Sequence, residues 1–226
     1  MTQIEIHNRS IPDPIAGIPI VDAYMLWALL AAEEVVGKPG LNALLRQGGL
    51  ERLLENYPTS ALTATGHFVF SDYANLSTSL LTFYGHAGKS LTLRIGRLSA
   101  RHGIDRQGQL FGLSAMVAVR ILPISMQIRM GLEAMQAGYR AMMPQMKHYV
   151  EDHGDKWAYV SETCPMCAGK EANEPICWIY NGVLEEACRW QTDKDFAIEE
   201  VACRATGAAT CIWEVAKQPR EQRVDA

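Results

Sequence analysis

Glu200-Val-Ala-Cys203-Arg-Ala-Thr-Gly207-Ala-Ala-Thr-Cys211-Ile-Trp213 is the stretch that decides how this chain is read. Seven residues separate the two cysteines and Gly207 stands at their midpoint. A hairpin turning at Gly207 would set Cys203 and Cys211 opposite one another. Two thiolates presented across a hairpin are half of a tetrahedral zinc site. Cys177, in the β-rich run Cys177-Trp-Ile-Tyr180, is a source of a third sulfur. Glu200 offers a carboxylate oxygen, which binds zinc at roughly 2.0–2.2 Å. In a regular strand Glu200 and Cys203 point to opposite faces, so a shared metal requires a bulge or a turn onset between them. The competing reading is that these cysteines are small buried hydrophobes.

Working outward, the cysteines are unevenly placed. All six lie at positions 164, 167, 177, 188, 203 and 211. The start of the chain, Met1-Thr-Gln-Ile-Glu-Ile-His7, lacks the basic and apolar regions of a signal peptide. A cytoplasmic location is therefore expected, where clustered cysteines signal metal or redox chemistry rather than disulfides. Cys164-Pro-Met-Cys167 is a C-x-x-C that follows a strand and lacks the βαβ context of a thioredoxin site. It stands as an additional metal or redox pair. Cys188, in Leu-Glu-Glu-Ala-Cys188-Arg-Trp190 on an expected helix, reads as packing.

The block from Glu200 to Trp213, with Cys177 and Cys164-Pro-Met-Cys167 upstream, resembles the 4-vinyl reductase domain. That family includes bacteriochlorophyll 4-vinyl reductase-like proteins, archaeal hydrocarbon-binding proteins and the sensor domains of aromatic-responsive transcription activators. The resemblance covers residues 156–215 closely and the preceding region only in general character. It implies an α+β fold, with a helical layer on a small antiparallel sheet, of the ligand-binding type used in NO signalling and Golgi transport. It also implies Zn2+ on Cys177, Glu200, Cys203 and Cys211, which match the family's Cys, Glu-x-x-Cys, Cys pattern position by position. A homodimer is implied as well.

Residues 1–155 read mainly as helix, within a single domain whose β-rich part is 156–215 and whose polar tail is 216–226. A short strand at Ile4 and Ile6 precedes a proline-containing entry. Val21 to Val36 is apolar on nearly every side, so it must be buried in a core or against a second subunit, and it is the expected dimer interface. Gly37 to Gly40 break it, and Leu41 to Leu54 resumes amphipathic spacing. Asp72 is the expected N-cap of a helix reaching Phe83. A helical segment from Leu110 to Val150 is expected to kink at Pro123 and Pro144. His148 and His153 then fall at a solvated helix end.

Tyr84-Gly-His-Ala-Gly88-Lys89-Ser90 has the end of a phosphate-binding loop, but Phe83 occupies the place of its first glycine and no strand leads in. Six of the ten methionines lie between Met126 and Met146. Methionine suits adaptable apolar surfaces, so Met126 and Met130, facing Trp157 and Tyr159 on the sheet, are the expected ligand wall. In aromatic-sensing relatives a tryptophan near Trp157 and a histidine on the preceding helix hold the phenol. Here no histidine lies between His102 and His148.

The formal charge of −4 and the absence of a basic run argue against nucleic acid. The run Ala23 to Ala32, ten residues long, falls short of the roughly 20 needed to span a bilayer. No G-x-G-x-x-G follows a strand, so no nicotinamide site is recognisable. The expected function is binding of a hydrophobic small molecule (aromatic, hydrocarbon or tetrapyrrole) above a structural zinc, with no catalytic residue assigned. The alternatives are an enzyme or accessory acting on the 4-vinyl group of a chlorophyllide in bacteriochlorophyll synthesis, and a stand-alone sensor.

Overall fold

The computed structural model describes residues 4–107 and 117–220. Four strands form an antiparallel sheet in the order β2-β3-β6-β5: β2 His148–Asp152, β3 Lys156–Ser161, β6 Cys211–Pro219 and β5 Phe196–Ala202. A second, two-stranded sheet pairs β1 (Ile6–Asn8) with β4 (Lys170–Ala172). The helical layer comprises α1 Asp22–Gln47, α2 Phe70–Phe83, α3 Gly88–Gln107, α4 Ile124–Met142 and α5 Trp178–Thr192. This is the expected α+β arrangement. Among the described residues no helix is long and apolar enough to cross a membrane.

Helix α1 supplies much of the core, with Ala23, Met25, Ala28, Leu29, Ala31 and Ala32 fully buried. Its all-round apolar surface is consumed inside the chain, so the dimer interface expected on Val21–Val36 is not there. The break at Gly37 is real: φ is +71°, a conformation that suits glycine, and the axis kinks before Pro39. Asp72 is not the N-cap of α2. The helix begins at Phe70, and the Asp72 carboxylate reaches back to accept the Val69 N–H at 3.0 Å.

Two further expectations are corrected by proline and by burial. Pro123 and Pro144 do not kink one long helix. Pro123 is the N-cap of α4 and Pro144 follows its end, because a proline excludes helical geometry from the residue before it. Leu110 lies outside the described residues. Beyond Pro144 the chain turns into β2, and His148 is 3% exposed on a strand rather than at a solvated helix end. The tail is ordered further than expected, since β6 continues through Ala216 to Pro219.

Candidate functional site

The β5–β6 hairpin builds the cysteine site. Ala202 pairs with Ile212, which brings Cys203 and Cys211 opposite each other at its end, and Gly207 takes a φ of +92° in the connection. The register slips between Glu200 and Ala202. That bulge is what lets Glu200 and Cys203 face the same point. Cys177 approaches from another direction than expected: it is the N-cap of α5, not a strand residue.

All five of Cys164, Cys167, Cys177, Cys203 and Cys211 are fully buried. Their sulfurs are close: Cys177 to Cys203 is 3.7 Å, Cys177 to Cys211 3.9 Å, Cys164 to Cys177 3.6 Å and Cys167 to Cys211 3.5 Å. The donor atoms fall into two sets, each within 4.8 Å throughout: Cys177, Glu200, Cys203, Cys211, and Cys164, Cys167, Cys177, Cys211. The cluster can therefore hold a metal ion. Burial pushes the Cys164 thiol up to about 12 and raises Cys177 and Cys211 too. Burial likewise lifts Glu200 to about 7. Without a cation this pocket holds protons; a bound cation would displace them.

Glu200 is aimed. One carboxylate oxygen accepts the Cys177 N–H at 2.9 Å, while Oε1 is buried without a hydrogen-bond partner. An orphaned acceptor among thiols is the shape of a ligand atom awaiting a cation. Two residues that sequence reading missed brace the site. The Arg204 N–H donates to the Cys211 sulfur at 3.3 Å, and its guanidinium binds Asp13 at 3.0 and 3.3 Å. Asp13 also accepts the Gly169 N–H at 3.0 Å, tying the N-terminal segment to the end of the C-x-x-C turn. Asp13 lies between two prolines 191 positions from Arg204, and no local pattern announces such a pair.

A cavity of about 150 Å³ lies between α1, α3, α4 and α5. Its walls are mostly apolar: Tyr24, Trp27, Ile128, Leu132, Met135, Tyr139, Met146, Met166, Tyr180 and Val183, with Ser99 and Gln191 among the few polar groups. Met126 and Met130 are not part of it; they are 49% and 37% exposed on the outer face of α4. The methionines that do line it are Met135, Met146 and Met166. Trp157 is also elsewhere. Its Nε1–H donates to the Ser125 carbonyl at 3.0 Å and Lys217 Nζ sits 3.8 Å from its ring centroid. Tyr159 stands one residue behind the wall, stacked on Tyr180 at 5.9 Å.

Behind Tyr180 lies a buried polar knot that sequence reading also missed. His148 Nδ1 is 3.0 Å from the Tyr159 hydroxyl and 3.2 Å from that of Tyr180, and Nε2 is 3.3 Å from Ser161 Oγ. Burial drives His148 down from 6.5 to about 3, so it is neutral. The unfolded chain takes up this proton near pH 6.5 and the folded chain only near 3. The contribution is thus whole above pH 6.5 and is lost as pH falls, by about 1.4 kcal/mol per unit. Urea unfolding should show the gap between wild type and His148→Leu narrowing from pH 6.5 to 5. Metal release, common to both proteins, cancels in that difference; a constant gap would refute the buried neutral imidazole.

Lys89 of the phosphate-loop-like segment pairs with Glu174 at 2.6 Å at the start of α3, in agreement with the solvated-helix reading.

Residues 157–217 match the family model of the 4-vinyl reductase domain. No curated protein matches the chain. Solved H-NOX domains share its fold. One is an oxygen-binding H-NOX domain related to soluble guanylate cyclases, 11% identical, with 88% of this chain and 96% of that one aligned at a TM-score of 0.55. The Fe(II) unliganded H-NOX protein from K. algicida is 14% identical, with 88% and 97% aligned and a TM-score of 0.56. The S. oneidensis H-NOX protein in its Fe(II)NO state gives 10%, 87%, 99% and 0.53. The segment in which the sequence resembles the 4-vinyl reductase family is the segment that the family model covers. Residues 157–217 of this chain are a 4-vinyl reductase domain, set within an α+β fold of the H-NOX type.

Proposed function

We propose that this protein binds a small hydrophobic molecule, about the size of one aromatic ring, in the cavity between its helices. A zinc ion on Cys177, Glu200, Cys203 and Cys211 would hold the cavity wall in place. The observation that carries the reading is the cavity itself: about 150 Å³, enclosed by aromatic and aliphatic side chains, with no charged side chain among the described residues that line it. An engineered cavity of about 150 Å³ lined by apolar side chains binds benzene. Sites for drug-sized ligands run from about 300 to 1,000 Å³.

That size argues against a tetrapyrrole, which is four pyrrole rings in one plane. One of the matching H-NOX structures carries the words "heme distortion" in its description, so haem is the cofactor this fold would suggest. The residues here do not fit it. Among the described residues no histidine lines the cavity, and no Lys or Arg stands there to meet propionates. Both nitrogens of His148 are already engaged. The same volume disfavours action on a chlorophyllide.

Zinc fits its site. Buried soft sulfurs, a carboxylate oxygen without a partner and a common approach within 4.8 Å are the requirements of a tetrahedral structural centre. When bound, zinc supplies charge neutralisation and cross-links; four protein ligands leave no open position for substrate. The chain's own residues carry this to the cavity. Cys177 caps α5, whose first turn places Tyr180 and whose second places Val183 in the wall.

The test uses toluene as probe, followed by chemical-shift changes and thermal stabilisation. Wild type should bind it, and Ala187→Phe, which places a ring in the cavity, should lose at least tenfold in affinity while keeping its fold. Equal binding by the two proteins would place the ligand elsewhere and end this reading.

A further inference from the structure

We propose that the cysteine cluster holds a second metal ion, on Cys164, Cys167, Cys177 and Cys211, with Cys177 and Cys211 bridging to the first. The proposal rests on the zinc reading above and extends it.

Geometry is the first support. With zinc–sulfur bonds of about 2.3 Å, a tetrahedral site has sulfur–sulfur edges of roughly 3.8 Å. The edges to Cys203 and Cys211 from Cys177, 3.7 and 3.9 Å, meet this, and so do Cys164 to Cys177 and Cys167 to Cys211 at 3.6 and 3.5 Å. Two tetrahedra that share an edge need six donors. The six here divide into two complete sets, whose common members are Cys177 and Cys211.

Chemistry is the second. Cys164 and Cys167 are 0% exposed. The 3₁₀ turn Pro165–Cys167 points both thiols at the ligand sulfurs rather than into apolar packing. A single ion on the first set would leave two thiols pressed against metal-bound thiolates. A second divalent ion instead takes the place of their protons, and the six anionic donors then carry a net charge of about −2, with Arg204 nearby.

The second site has a consequence for the cavity. Pro165 and Met166, the two residues between Cys164 and Cys167, line the proposed ligand cavity. A metal on that pair therefore fixes one wall directly, whereas the first site acts through α5. Emptying it should loosen the wall and weaken toluene binding several-fold while the first zinc stays.

Native mass spectrometry and metal analysis of reduced, zinc-loaded protein test this. Two zinc ions per chain are expected in wild type, one in Cys164→Ser/Cys167→Ser and one in Glu200→Gln/Cys203→Ser. Cobalt replacement adds a readout that does not need the variants. The second equivalent of cobalt should lower the EPR intensity per ion, because bridging thiolates couple the two spins. One zinc in wild type, retained by Cys164→Ser/Cys167→Ser, would overturn the second site and leave the first standing. One zinc lost in that variant but kept by Glu200→Gln/Cys203→Ser would overturn both assignments, as would a protein without metal. Two uncoupled cobalt ions would overturn the bridge.

Discussion

Cys177→Ser should leave the protein without zinc and unfold its C-terminal half at a temperature where the wild type is intact. Cys177 is the one ligand that is both a member of each donor set and the N-cap of α5. Its loss leaves no complete set of four, so the outcome is the same for one metal or two. What remains is a buried group of thiols and a carboxylate whose protons must return, with Glu200 Oε1 still unpaired. Structural zinc contributes about 10–16 kcal/mol in small peptides that have little else to fold around. Here a large apolar core shares the load, so a loss of about 5 kcal/mol is expected, comparable with the whole stability of many domains. Calorimetry with metal analysis reads both effects. Chelation of the wild type should reproduce the variant's unfolding, and a variant with unchanged melting temperature and metal content would remove zinc from the account of this fold.

The cluster and the fold class were legible in the sequence because their determinants are local. Cys203 and Cys211 flank a turn with glycine at its centre, and the bulge that Glu200 requires follows from strand periodicity. Helix boundaries were less so. Cys177-Trp-Ile-Tyr180 looks like a strand because β-branched and aromatic residues favour pleated surfaces. It is helical because Cys177 is held by the cluster and the turn after it packs against α3. The cavity was misplaced for a related reason. Methionine spacing along α4 identifies a face but not the direction it looks, and Met126 and Met130 lie on the solvent side while Met135 turns inward. Long-range pairs such as Asp13 with Arg204 leave no local trace at all.

The second large effect comes from two glycines that no motif singled out. Gly96 on α3 and Gly182 on α5 meet where these helices cross. A methyl group at position 96 would stand 2.0 Å from the Ile179 carbonyl oxygen, and one at position 182 would stand 2.1 Å from that of Leu93. Both obstacles are backbone, so relief requires the helices to part. Overpacking of a core costs about 1–3 kcal/mol where side chains can move. With backbone on both sides, Gly96→Ala and Gly182→Ala should each cost about 3 kcal/mol or more. The double variant should cost less than the sum, because one separation relieves both clashes. Gly131→Ala on α4 is the control: its added methyl meets only Gln191 Cγ at 3.8 Å. Helix propensity alone should then stabilise that variant by about 0.5–1 kcal/mol. The crossing also sets the cavity's width. Ser99 and Gly103 follow Gly96 along α3, and Val183 and Ala187 follow Gly182 along α5, all in the wall. Helices forced apart there should admit larger aromatic probes than toluene, at the expense of toluene itself. Denaturant melts and probe titrations measure the two effects separately. A Gly96→Ala protein within about 1 kcal/mol of wild type would mean that the helices cross less closely than 2.0 Å demands.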